Sequence, residues 1–155
     1  MVLLSSQPYE YDLLPEDQAY IRLIVLQPDP EPDAPVRCFL ITRTLATFEE
    51  DIIESYVALS YVWGDANDTR AVDVEGSHVN VTTSLDCALR YLRHSHIQRY
   101  IWADALCINQ ADVVERNRQV AIMTNIYSAA RHTVLFLGEG TDSSDHMMKN
   151  WMSNE

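Results

Sequence analysis

The sequence predicts an α/β fold, a small parallel-sheet sandwich to which an N-terminal antiparallel pair of strands and a β-hairpin are added. Three observations predict it. From residue 56 onward, short apolar runs alternate with helical stretches in the order strand, helix, strand, helix, strand, as a parallel sheet with right-handed crossovers requires. The last run, 133–137 (TVLFL), is almost wholly apolar, like a strand buried on both faces. Upstream, two β-rich runs are separated only by a proline-rich loop, the pattern of an antiparallel pair.

Each element has its own local signal. Residues 1–19 are polar, carry proline and show no period, so they read as a loosely packed arm before a single domain over 20–155. Residues 20–27 (YIRLIVLQ) are short and β-branched, a strand. Residues 28–35 hold four of the six prolines; proline donates no amide hydrogen bond and restricts its predecessor, so this is a loop. Residues 36–45 form the returning strand, and the acidic stretch 46–55 is a turn or a short helix. Residues 56–62 are a strand that ends at Trp63-Gly64-Asp65. Residues 71–74 and 78–81 flank Glu75-Gly76-Ser77, a hairpin signal. Thr82, Thr83 or Ser84 caps the next helix, whose Leu85, Ala88, Leu89 and Leu92 make one stripe. Residues 99–103 are a strand leading into a loop, 104–110. Asp112 and Glu115 form a capping box for one long helix reaching about Ala130, with Val120, Met123, Ile126, Tyr127 and Ala130 on a common face. A last helix is expected over 143–151.

Composition narrows the function. The 155 residues suit one domain, and a net charge of -12 repels phosphate backbones and anionic lipid, so general nucleic-acid binding is not expected. Arg90, Arg93, Arg99, Arg116 and Arg118 are local exceptions that leave room for a nucleotide-sized ligand. No apolar stretch is long enough to span a bilayer, and no leader pattern opens the chain, so a cytoplasmic location is expected. Cys38, Cys87 and Cys107 are odd in number and widely spaced; they read as buried thiols, and no metal-ligand spacing accompanies them. The four glycines make neither a Walker loop nor a dinucleotide fingerprint.

Several blocks carry a resemblance. ALSYVWGD at 58–65, DTR at 68–70, WADALCINQAD at 102–112, the run from Glu115 through Val120 to Ala130, and VLFLG at 134–138 resemble, in order and spacing, the HET domain of fungal heterokaryon-incompatibility proteins. The resemblance covers about residues 20–140; Phe136 stands where many relatives have tryptophan, and Leu106 where isoleucine is common. It implies a module near the amino end of a longer chain. Such a module triggers self/non-self recognition and programmed cell death by regulated assembly, through self-association or a signalling partner. A looser similarity is to TIR domains, in the polar loop after the first core strand and in the order of the later strands and helices. It implies a TIR/flavodoxin-like core. Because some TIR domains cleave NAD, it also implies an alternative function as an NAD hydrolase, with NAD as substrate and no tightly bound cofactor. The TIR acid lies after the third core strand, where Glu139, Asp142, Asp145 and Glu155 match no TIR motif.

In a parallel α/β sheet, ligands bind beyond the carboxyl ends of the strands. Two such ends here carry polar loops, 63–70 and 104–112. If their strands are neighbours, Ser60, Trp63, Gly64, Asp65, Asp68 and Arg70 from the first, with Trp102, Asn109 and Gln110 from the second, are candidate ligand contacts. The tryptophans would stack a base, or else lie in the core; the polar groups would hold a ribose, or else satisfy loop backbone. Cleaving an N-glycosidic bond needs a carboxylate against an oxocarbenium-like state, and Asp104 and Glu115 are the candidate catalytic acids. Asp104 also reads as a loop anchor, and Glu115 as the capping partner of Asp112, contributing about 1 kcal/mol. Cys107 lacks a nearby histidine to activate it and reads as a small buried residue.

Overall fold

The structure, a computed structural model, describes residues 8–50 and 55–138. Strands β1 (Tyr20–Leu26), β2 (Arg37–Thr44), β3 (Val57–Tyr61), β4 (Thr69–Val74), β5 (Ser77–Thr82), β6 (Arg99–Trp102) and β7 (His132–Phe136) form one sheet in the order β5-β4-β2-β1-β6-β3-β7. Helices are α1 (Leu45–Glu50), α2 (Thr83–Leu92), α3 (Asp104–Cys107), α4 (Val113–Ala121) and α5 (Met123–Ala129). The fold is mixed α/β, as expected. β6, β3 and β7 are parallel neighbours, with Ala58 opposite both Trp102 and Thr133. Because side chains alternate along a strand, Trp102 and Phe136 then point to opposite faces. Phe136 meets Tyr91 of α2, and Trp102 meets Tyr127 of α5. The two crossovers therefore cover opposite faces of the sheet.

The N-terminal pair forms in full register, Tyr20↔Thr44 to Leu26↔Cys38. It is no decoration, however. β1 occupies the middle of the sheet, also pairing antiparallel with β6, and six of its seven residues are buried. Apolar side chains on both of its faces make it a central strand. Between β1 and β2 the prolines leave carbonyls without local donors. Arg90 and Arg93 supply them: Arg90 Nη1 reaches Ala34 O at 2.9 Å, and Arg93 reaches Ala34 O at 2.9 Å and Pro32 O at 3.0 Å. In the hairpin, Glu75 (φ 54°) and Gly76 (φ 84°) are both left-handed, the two-residue turn that matches strand twist. Thr82 caps α2, accepting from Leu85 N at 3.3 Å, and the expected stripe is buried.

Three expectations need correction. Residues 104–107 form a helical turn rather than a loop, too short for periodicity to reveal. The single helix to Ala130 is two, broken at Ile122 (φ -105°, ψ 7°), whose amide bonds back to Gln119 O at 3.2 Å. That break puts the expected apolar face out of phase: Val120 is exposed, and α4 buries Glu115 and Gln119 instead. Its buried side is polar because β1 and the arm answer it. Gln119 Nε2 donates to Tyr20 O at 2.8 Å, and Glu115 pairs with Arg22. The arm is likewise tied down, Tyr11 Oη donating to Leu106 O at 2.8 Å and Arg118 meeting Glu16 at 2.7 Å. The helix expected over 143–151 lies outside the described residues, as do Glu139, Asp142, Asp145 and Glu155.

All three cysteines are buried, and none of them is in a disulfide. Burial pushes Cys38 and Cys107 up to about 12, which suppresses their thiolates. Among the described residues no helix is long and apolar enough to cross a membrane.

Candidate functional site

β3 and β6 run side by side in one direction, so the loops after them leave from the same edge of the sheet. Within the parallel trio the first strand, β3, is central, the second lies on one side and the third on the other. The crossovers diverge there, which makes the gap between the carboxyl ends of β3 and β7 a topological switch point, where open α/β sheets bind ligands. A crevice of about 280 Å³ occupies it, lined by Trp63, Gly64, Asp65 and Asp68 from the β3 exit loop and by Arg70 at the start of β4. Thr83, Ser84 and Cys87 of α2 and Phe136 and Gly138 at the end of β7 complete it.

The exit loop is held by its own polar groups. Gly64 adopts φ 71°, the left-handed conformation that glycine takes without strain. Asp65 Oδ1 accepts from Asn67 N at 2.9 Å, closing an Asx turn. Asp68 Oδ1 accepts the Thr83 hydroxyl at 2.8 Å, and the Ser84 hydroxyl donates to Val62 O. The loop is thereby stitched to the first turn of α2. Arg70 Nη1 lies 3.1 Å from Asp86 Oδ2, which also takes Arg90 Nε at 2.9 Å. Asp86 is fully buried, and its partnership raises the Arg70 pKa, keeping a half-exposed guanidinium charged at the crevice. Two carboxylates and one such cation leave the crevice polar and weakly acidic.

Trp63 also belongs to a second cluster. The residue is 48% exposed, and its ring stacks parallel to Tyr61 with centroids 6.3 Å apart. Asp104 interacts with both Tyr61 and Trp63 and does not line the crevice. Desolvation raises the Asp104 pKa, offset in part by the Ala105 amide, Tyr61 and Trp63. Burial and then the Asp104 charge drive Tyr61 far upward. Their approach is electrostatic, since Tyr61 Oη has no partner at hydrogen-bond geometry. Ser60 approaches Tyr127, whose pKa burial raises. The Asp104 backbone carbonyl takes Gln110 Nε2 at 3.0 Å.

The structure therefore brings Trp63, Gly64, Asp65, Asp68 and Arg70 together in one crevice and places the other candidates elsewhere. Trp102 is wholly buried, edge-on to Tyr127 at 5.4 Å, and offers no surface to a ligand. Asn109 Oδ1 accepts from Ala111 N at 3.2 Å, a loop contact like that of Gln110. Glu115 is buried against Arg22, which also reaches Cys107 O at 3.1 Å, and it accepts Asn109 N at 2.9 Å. Asp112 caps α4 by accepting from Val114 N and Glu115 N at 3.1 Å, but Glu115 does not return the bond. Thr83 and Ser84, read from sequence only as caps, are the additions; their signal was a helix start facing the exit loop. No group of three or more metal-ligating side chains occurs among the described residues.

No solved structure matches the chain, so the TIR and flavodoxin likeness gains no support from known folds. The family described as Heterokaryon incompatibility protein (HET) matches residues 56–155, which contain the whole crevice. The chain is 35% identical over 154 residues to Heterokaryon incompatibility protein 6, OR allele, of Neurospora crassa, covering 90% of this chain and 22% of that protein. The chain belongs to the heterokaryon incompatibility (HET) family.

Proposed function

We propose that this HET domain triggers self/non-self recognition and cell death in a fungal cell, and that it does so by regulated assembly with copies of itself or with a signalling partner in the cytoplasm. The observation that carries the reading is the family match over 56–155, together with the 35% identity to a protein named for heterokaryon incompatibility. A surface feature supports assembly. Val62, Leu135 and Leu137 are each more than half exposed and Trp63 nearly half exposed, and Val62 N bonds Phe136 O at 3.3 Å, so apolar side chains are exposed where β3 and β7 end. On a chain of net charge -12, copies approach at least electrostatic cost across such side chains. A nucleotide-sized ligand in the crevice is the natural regulator of that approach. The placement of the acids favours this reading over NAD hydrolysis, since Asp68 and Asp65 hold the loop, Asp104 does not line the crevice and Glu115 is ion-paired.

Induced expression in a filamentous fungus tests it, with hyphal viability, sedimentation of the tagged chain and nicotinamide release followed together. The expected result is loss of viability as the chain shifts to faster-sedimenting species, without nicotinamide release above background. A well-expressed chain that stays monomeric and leaves hyphae viable contradicts the proposal.

A further inference from the structure

Asp65, Asp68 and Glu115 are accounted for by the exit loop and by Arg22. Asp104 is not. Among the described residues its carboxylate makes no ion pair, and it does not line the crevice. The strand register shows what it faces. β3 and β6 pair from Val57↔Ile101 to Ala58↔Trp102; three residues further on, Tyr61 ends β3 and Ala105 lies in the first turn of α3. Tyr61 therefore leaves the sheet beside that turn. The Ala105 amide, donating to Asp104 Oδ1 at 2.8 Å, fixes the carboxylate there. It meets Tyr61 from β3, Trp63 from the exit loop and Tyr127 from α5. Tyr61 Oη is buried with no hydrogen-bond partner, and the Tyr61 ring is the platform on which Trp63 stacks, 4° from parallel. Burial raises the Tyr61 and Tyr127 phenols, and it pushes the Cys107 thiol of α3, which bears on Tyr61, to about 12. These neighbours stay neutral near pH 7, so the charge of the cluster is that of Asp104.

We infer that Asp104 is a positioning residue whose charge holds Trp63, and with it one wall of the crevice, in place. Its bearing on cell death rests on the crevice reading proposed above; its hold on Trp63 does not. Trp63 is 48% exposed, so packing constrains only part of its ring. An indole N–H and a phenol O–H are drawn to a carboxylate more strongly than to a neutral acid. Burial raises the Asp104 pKa, and the Ala105 amide, Tyr61 and Trp63 offset only part of that rise. Asp104 therefore takes up its proton at a higher pH than a free aspartate, and as pH falls through that point Trp63 loses its charged partner. Above that pH ionisation is disfavoured in the fold, so neutralising Asp104 does not unfold the domain.

The test labels the full chain with fluorotryptophan and follows fluorine NMR, the Trp63 resonance being the one that Trp63→Phe lacks. Near neutral pH, Asp104→Asn, which removes the charge at almost unchanged size, is expected to shift that resonance without lowering the melting temperature. Asp104→Glu, which keeps the charge, is expected to shift it less. Glu31→Gln removes an exposed charge from the loop after Leu26, beyond the end of β1 that pairs with Arg99, and leaves the resonance in place. As pH is lowered from neutrality, the wild-type resonance is expected to move toward its position in Asp104→Asn before the ordinary aspartate range, about 3.9, is reached. In Asp104→Asn it stays where it is. The wild-type titration decides the matter even where a variant fails to fold. Hyphal killing is a separate readout: an Asp104→Asn chain that shifts Trp63 yet kills as the wild type does removes the crevice reading and leaves the hold on Trp63 standing. A Trp63 resonance unmoved by Asp104→Asn, or one that titrates alike in both proteins, overturns the proposal.

Discussion

Arg22→Ala is expected to destabilise the domain by about 3–5 kcal/mol, and Glu115→Ala by a similar amount. Both side chains are almost fully buried, and each single change strands a charge without its partner. Arg22 also joins four parts of the molecule. It meets Glu115 of α4, donates to Cys107 O at the end of α3 and to Asp12 O of the arm at 2.6 Å, and lies 4.8 Å over the Tyr11 ring. Replacing both partners with apolar residues of similar volume, Arg22→Met with Glu115→Leu, removes both charges and so is expected to lose less than either single change. Urea denaturation of the four proteins checks this. A Glu115→Ala domain as stable as wild type would deny the carboxylate its structural role.

Trp102→Ala is expected to lose about 3–5 kcal/mol, the range for emptying a large aromatic site. Its ring is wholly enclosed, packed in the core cluster and against Tyr127. Trp102→Phe is expected to lose less than half as much. The indole Nε1 is buried without a partner, so removing it relieves an unsatisfied donor and offsets part of the lost packing. Thermal and urea unfolding with both variants separate the two contributions. Equal losses would mean that the indole N–H contributes more than its surroundings show.

The range of the forces involved decides which features were legible in the sequence and which were concealed. The hairpin turn at Glu75-Gly76, the α2 stripe and the parallel trio are set by neighbours within a few residues or by runs of apolar side chains, and they are found where expected. The central position of β1 is completed by β6, far later in the chain; YIRLIVL has apolar side chains on both faces, but Arg22 within it argues misleadingly for exposure. The break at Ile122 has no proline or glycine to announce it, and the polar face of α4 makes sense only once Arg22 and Tyr20 O lie beneath it. At the site, the loop after Val62 was legible because a strand that ends in Trp-Gly-Asp must turn there. The depth of Trp102 and the absence of Asp104 from the crevice lining were not, since both depend on how neighbouring strands are staggered. Trp63 and Trp102 look equivalent in sequence and differ only in the packing above them.

In the function proposed, the crevice between β3 and β7 is the working part of this HET domain, and Trp63→Ala tests that most directly. The residue is half exposed, so truncation is expected to change folding stability by less than about 1.5 kcal/mol, while removing both a wall of the crevice and part of the exposed apolar surface. Expressed in hyphae at the wild-type level, Trp63→Ala is predicted to leave cells viable where the wild-type chain kills them. A folded Trp63→Ala chain that kills as the wild type does would contradict the assignment of the crevice.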